Sequence, residues 1–224
     1  MIALRCSELS CRRAEWTYGP SQVDHLSLEF REAALHFFCG CPGSGKTLLL
    51  HLLGLLEEPD SGSIEIFGQS AADLDVETRC EFRNSVFGYL FMAPCLLPTF
   101  SAAENIAMPL FRFAQADADS ARDRVSEVLD RFGIEDIAGE LSGNLTPQEQ
   151  HLVALARAIV LRPRILVAIS PGESEFLFPH VRKIVSDFGI TCLWSDHLDA
   201  LSAQSDRTLI LHHGRVLEDR HTFS

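Results

Sequence analysis

Residues Gly40-Cys41-Pro42-Gly43-Ser44-Gly45-Lys46-Thr47 constrain this chain more than any other stretch. A glycine, four residues, then Gly-Lys-Thr is the pattern of a phosphate-binding loop. Glycines let successive backbone N–H groups turn inward on phosphate oxygens. Lys46 then reaches the β- and γ-phosphates, and the Thr47 hydroxyl is placed for Mg²⁺. The flanks fit this use. Ala34 to Cys39 is an apolar run that reads as a buried strand, and Thr47 to Leu56 reads as a buried helix. A strand, a tight loop and a helix aim the helix N-terminus at an anion. The implied ligand is a nucleoside triphosphate, with Leu48 completing the loop's contact set.

Composition sets the outer bounds. With 224 residues, 46% of them hydrophobic, the chain can bury one sizeable core. No apolar run reaches the ~18–20 uncharged residues of a membrane span. Met1 to Arg13 has no signal-peptide core, so a cytoplasmic location is expected, with any membrane role supplied by a partner. The net charge of −12 argues against a nucleic-acid partner. The seven cysteines have no metal-finger spacing. They read as reduced thiols, with a redox-sensitive Cys41 as the alternative.

Strand and helix signals alternate along the chain. Short strand-like runs, Ile2-Ala3-Leu4 and Leu26 to Phe30, precede the loop, and Ser63 to Phe67 and Val86 to Phe91 follow it. From about residue 93 to 157 the pattern is helical, with helices over Glu104 to Phe113, Ser120 to Phe132 and Thr146 to Leu161. Strands return at Ile165 to Ile169, Ile190 to Trp194 and Thr208 to Leu211. The expected fold is α/β: a mostly parallel sheet flanked by helices, with an N-terminal antiparallel β subdomain and a helical insertion. Residues 1–224 form one domain in this reading, with 1–92 and 158–224 as core and β subdomain.

The order of motifs resembles the ATP-binding subunit of an ABC transporter, the type that serves lipoprotein-release and macrolide-export permeases. Trp16-Thr17-Tyr18-Gly19 is similar to the family's start, which implies that Tyr18 stacks on adenine. Pro59 to Ile64 with Phe67-Gly68 is similar to the hairpin after the loop helix. Phe87 to Met92, Leu96 to Thr99 and Glu104-Asn105-Ile106 resemble the segment that couples to a permease. Val153 to Ala158 resembles the helix after the signature motif, and Pro163 to Leu166 the Walker B strand. Asp196-His197 sits at the switch histidine, which implies a catalytic-site role for His197. The family dimerises head to tail, which implies a homodimer or a heterodimer with another ATP-binding subunit, peripheral on the inner face of the membrane through an integral permease.

The departures fall on chemistry. Met92 stands where the family has a glutamine that touches Mg²⁺, and a thioether is a poor ligand for a hard cation. Counting back from Ala156-Arg157-Ala158, the signature falls on Leu145, Thr146, Pro147, Gln148 and Glu149. Thr146 to Glu149 is a capping-box pattern that would cap its own helix. The earlier Leu141-Ser142-Gly143-Asn144 looks like the signature but lies four residues too soon. Ile169 and Ser170 replace the Walker B aspartate and glutamate, and Ser170 to Glu173 again reads as a capping box. Glu175-Phe176 replaces a Leu-Asp.

Loss of a general base costs about 10²–10⁴-fold, and loss of transition-state electrostatics about 10²–10³-fold. Groups that act as a unit do not multiply. The expectation is a subunit that holds ATP and hydrolyses it weakly or not at all, with Mg²⁺ binding weakened. Two alternatives stand beside it: an active ATPase using substitute acids such as Asp196, and a nucleotide-binding regulatory or scaffolding protein.

Overall fold

The computed structural model describes residues 1–15, 19, 21–197 and 199–222; Tyr18 therefore lies outside the described residues. Along the chain come β1 (Ile2–Arg13), β2 (Ser21–Arg31), β3 (Leu35–Cys39), α1 (Lys46–Leu53), β4 (Ser61–Ile66), β5 (Gln69–Ser70), α2 (Val76–Val86) and β6 (Phe87–Phe91). Then follow α3 (Ala102–Arg112), α4 (Ala118–Phe132), α5 (Pro147–Ile159), β7 (Ile165–Ile169), α6 (Ser174–Phe188), β8 (Thr191–Ser195), β9 (Arg207–His212) and β10 (Arg215–His221).

Three strands, β3, β7 and β8, are buried at every residue, which is why each reads as an unbroken apolar run. They lie inside a six-stranded sheet ordered β10-β9-β3-β8-β7-β6. All pairs are parallel except β9 with β10. Successive side chains take opposite faces. Leu166 and Ala168 join a core with α3 to α6, while Ile165, Val167 and Ile169 join a second core with α1 and the N-terminal strands. No helix among the described residues is long and apolar enough to cross a membrane.

The second sheet is antiparallel, ordered β2-β1-β4-β5. Its first two strands run 12 and 11 residues, longer than the short pieces expected. The pairing register shifts between Cys6 and Leu9 and again between Leu9 and Cys11. Glu8 and His25 have φ of 48° and 49° at these shifts. Two bulges thus break the alternation that a strand reading depends on, while Val23 and Leu26, three apart, both stay buried.

Between β6 and β7 the described residues hold helices and a single bridge, Ser101 to Leu141. The helix α3 packs on α4 and α5, and α5 also packs on β6, so α5 ties the helical stretch to the sheet. One helix start differs from expectation. Ser170 to Glu173 do not form a capping box: α6 begins at Ser174 after Glu173, whose φ is 55°, with no side-chain cap. Ser170 instead stays with the sheet edge, its N–H bonded to the Ser195 carbonyl at 3.0 Å.

Candidate functional site

The loop between β3 and α1 is held by contacts only glycine permits. Gly45 has φ 98°, and a Cβ there would lie 2.2 Å from the Gln22 carbonyl oxygen. A Cβ on Gly40 would lie 2.5 Å from the Leu211 carbonyl. The far side of the loop is tied to the β9–β10 turn, where Gly214 N–H donates to the Ser44 carbonyl at 2.9 Å. Cys41, Pro42 and Gly43 are exposed, whereas Ser44 and Lys46 are buried. The Lys46 ammonium donates to the carbonyls of Gly40 (2.8 Å) and Cys41 (3.3 Å). Burial pushes its pKa down, opposed by the neighbouring Cys39, Asp196 and Cys41.

The first intrahelical bond of α1 runs from Leu49 N–H to the Gly45 carbonyl, which leaves the N–H groups of Lys46, Thr47 and Leu48 facing out of the helix end. The Leu48 side chain is fully buried, so this residue can meet a ligand only through its backbone. The Ser44 hydroxyl is buried with no hydrogen-bond partner among the described residues. Amides, a buried hydroxyl and an ammonium at a helix N-terminus fit a phosphate group.

The strand ends beside this loop set the rest of the site. The parallel register aligns Phe38 with Ser195, Ser195 with Ile169, and Ile169 with Phe91. The residues just past these strands, Asp196, Ser170 and Met92, therefore share the C-terminal edge of the sheet. Ligands of open α/β sheets bind in the crevice outside this edge. Ile169 is 3% exposed and packed in the α1-side core. The Ser170 hydroxyl meets the Ser195 hydroxyl at 3.3 Å. Met92 is exposed, and its carbonyl accepts from Gly172 N–H at 3.1 Å.

Asp196 and His197 divide differently from the sequence expectation. Strand β8 ends at Ser195, so the first residue past it is Asp196, which is 1% exposed and donates its N–H to the Phe38 carbonyl at 3.0 Å. His197 is turned to the surface, its side chain 69% exposed, with Nδ1 3.0 Å from the Asp196 carboxylate. The buried position beside the loop belongs to a carboxylate, and His197 stands behind it.

At the start of α5 the capping box forms as the sequence indicated. Thr146 N–H donates to the Glu149 carboxylate at 2.8 Å, and Glu149 N–H to the Thr146 hydroxyl at 3.4 Å. Pro147 occupies the first turn. Gln148 Nε2 reaches Glu173 at 3.3 Å. The Glu149 pKa is lowered by the Thr146 hydroxyl and N–H. The look-alike Leu141 to Asn144 does other work. Ser142 is buried, donates to the Leu97 carbonyl at 2.7 Å and accepts from Asn105 at 3.1 Å.

Comparison with known proteins now decides the family. The profile of the ABC transporter family matches residues 23–169. The chain belongs to the ABC transporter family. It is similar to the lipoprotein-releasing system ATP-binding protein LolD of Bordetella avium, 34% identical over 96% of both chains. It is also similar to the LolD of Hyphomonas neptunium, 36% identical over 80% of this chain and 81% of that one. The fold matches the dimeric ATP-binding cassette MJ0796 bound to ADP and Pi, with a TM-score of 0.85, 23% identity and 99% of both chains covered. The P-loop fold with its parallel sheet, antiparallel N-terminal sheet and helical insertion is the ABC cassette fold.

Within this ABC cassette the residues fit the phosphates of a nucleotide and do not fit Mg²⁺ in the usual way. The metal wants hard oxygens in octahedral array. Thr47 offers one hydroxyl, Ile169 offers none, and Met92 offers a thioether. Among the described residues no group of three or more His, Cys, Asp or Glu could hold a metal ion. The buried carboxylate at this edge is Asp196, just past β8 rather than β7. Sequence reasoning does not single out His151. Its ring nitrogens face the Pro147 carbonyl at 2.8 Å and the Met92 carbonyl at 3.1 Å, joining the start of α5 to the residue after β6. The tight fit of Gly172, where a Cβ would lie 2.6 Å from His151 Nε2, depends on a chain separation no local pattern reveals.

Proposed function

We propose that this chain is the nucleotide-binding subunit of an ABC transport complex, holding ATP through its P-loop while turning it over weakly or not at all by itself. One juxtaposition carries the reading: a complete phosphate cradle from Gly40 to Leu48 beside a sheet edge where the side chains of Ile169, Ser170 and Met92 bring no carboxylate to a metal and no base to a water. Adenine contact is assigned to Tyr18. In this reading Thr146, Pro147, Gln148 and Glu149 do not serve a partner's phosphate, because the capping box takes up the N–H groups of Thr146 and Glu149 and sets the Glu149 carboxylate at the helix start, while Pro147 has no N–H. The relatives named for lipoprotein-releasing systems support pairing with an integral-membrane permease at the cytoplasmic face, and the dimeric cassettes of the same fold support pairing with a second ATP-binding subunit, which here needs to be an intact one for turnover.

The test is ATP turnover by the isolated chain against a Lys46→Ala control. Turnover at the control level, with nucleotide binding retained by the parent, is expected; clear Lys46-dependent turnover sinks the reading. A second reading draws on one observation, the buried carboxylate of Asp196 at the edge beside Lys46. There Asp196 would act as a substitute acid in an active enzyme. Under that reading Asp196→Asn abolishes a turnover that the parent possesses and leaves nucleotide binding in place.

A further inference from the structure

We propose that a cavity at the N-terminal edge of the six-stranded sheet is a second ligand site, built for a small planar aromatic carboxylate and independent of the nucleotide site. Strands β7 and β8 begin at Ile165 and Thr191, next to the cavity, whereas the phosphate loop follows the C-terminal end of β3. The two sites therefore lie at opposite edges of the sheet. The cavity measures about 310 Å³, the lower end of the range for small-ligand sites and room for about two fused rings. It opens between two helix-to-strand turns, Arg162 to Arg164 after α5 and Gly189-Ile190 after α6. The main chain fixes this frame: Thr191 N–H donates to the Arg164 carbonyl at 3.0 Å, and Ala33 N–H to the Thr191 hydroxyl at 3.1 Å.

The lining joins apolar and cationic groups. Phe67, Pro163, Phe188 and Ile190 supply apolar surface, while Arg124, Arg162 and Arg164 supply charge against one lining carboxylate, Glu32. A positive cavity is out of character for a chain of net charge −12. The three guanidiniums differ in what they already hold. Arg124 is committed to the fold: its Nε donates to the Val160 carbonyl at 2.8 Å, at the end of α5, and its Nη1 pairs with Glu127 at 2.5 Å. That arrangement offsets the negative end of the helix. Arg162 shares the same Glu127 at 3.1 Å, and its side chain is 70% exposed. Arg164 reaches Glu32 only at 3.7 Å, and its side chain makes no hydrogen bond among the described residues. Its guanidinium lies over the Phe67 ring, 3.3 Å from the centroid. With Glu127 included, three guanidiniums meet two carboxylates, and the donor fork left without an acceptor is that of Arg164. Such a fork takes a carboxylate through two parallel hydrogen bonds. A flat ring attached to that carboxylate has Phe67 and Phe188 to pack on.

Equilibrium dialysis of the full chain against 2-naphthoate, and against its neutral counterpart 2-naphthylmethanol, tests this. 2-Naphthoate is expected to saturate a single site per chain with Kd on the order of 0.1–1 mM, as a ligand of its size permits. The alcohol should bind about tenfold or more weakly, because it lacks the charge-assisted hydrogen bonds. Arg164→Ala should weaken 2-naphthoate by about tenfold, and Arg164→Lys, which keeps the charge without the fork, should restore only part of the affinity. In a ¹H–¹⁵N spectrum of the unaltered chain, 2-naphthoate should shift Arg162, Arg164 and residues 188–191. No saturable binding, or equal binding of acid and alcohol, overturns the proposal. So do shifts at the phosphate loop in place of these, or an unchanged affinity in both Arg162→Ala and Arg164→Ala. Both side chains are more than half exposed, so these variants are expected to fold, and the dialysis and spectrum of the unaltered chain decide the matter even if they do not.

Discussion

At the residue scale, three positions show how packing decides chemistry. Gly45 cannot carry a side chain: its φ is 98° and the Gln22 carbonyl stands 2.2 Å from where a Cβ would be. Gly45→Ala is expected to abolish nucleotide binding and to destabilise the chain by more than about 2 kcal/mol, read from titration and urea unfolding. Ile169 lies in the apolar core beside α1, so Ile169→Asp buries a carboxylate among apolar side chains. An unfolding free energy lower by about 2–4 kcal/mol is expected, and a neutral effect would mean the edge is wetter than its 3% exposure indicates. His36 is 2% exposed, with Nε2 on the Arg31 carbonyl at 3.0 Å. Burial lowers its pKa to about 4, against the Arg31 hydrogen bond that raises it. The unfolded chain takes up the His36 proton near pH 6.5 and the folded chain only near pH 4. Its contribution is thus complete above pH 6.5 and is lost as pH falls toward 4, by up to about 3 kcal/mol. Urea unfolding at pH 7 and pH 5 should show the decline, and His36→Phe should flatten it.

At the element scale, α5 shows a helix end spent on itself. Its Glu149 N–H is capped by Thr146, Pro147 has no N–H, and its first turn carries the Glu149 carboxylate, so the helix start presents an acid beside few free amides. Thr146→Ala is expected to lower stability by about 1 kcal/mol and Tm by roughly 2–4 °C, with calorimetry as the check; an unchanged Tm would show that Pro147 alone starts the helix. The same element shows what a sequence can and cannot reveal. The capping box is local and spans four residues, so it is legible, as are the apolar strands β3 and β7 and the P-loop between β3 and α1. Strands β1 and β2 read short because bulges at Glu8 and His25 interrupt their period. The false capping box at Ser170 fails for another reason: Ser195, 25 residues away in sequence, holds Ser170 in the sheet. That Asp196 is buried and His197 exposed follows from where β8 ends, a boundary shift of one residue that only the register with β7 fixes. His151, bridging Pro147 and Met92 across 59 residues, leaves no local signal at all.

At the scale of the whole molecule, charge and site point the same way. Each chain carries −12, and net charge far from zero opposes self-association unless an interface supplies opposite charge. In a head-to-tail pair of identical chains, each phosphate would face the partner's α5 start, where Glu149 adds a further carboxylate. On the function proposed above, the signature positions would repel where an intact cassette attracts. Nucleotide should therefore fail to drive this chain into homodimers. Sedimentation of the chain with ATP or ADP at about 0.15 M salt, where the Debye length is about 8 Å, is expected to give a monomer in every case. Raising the salt to about 1 M, where it is about 3 Å, removes the long-range repulsion between the two chains and leaves the contact between Glu149 and phosphate. A dimer that appears with ATP at the lower salt would mean that the α5 start does accept phosphate, and would return the signature to this chain. A dimer that appears only at the higher salt would assign the barrier to net charge instead. If the monomer persists throughout, the local arrangement at Thr146 to Glu149 is the barrier, and a second cassette with free N–H groups at that position becomes the required partner.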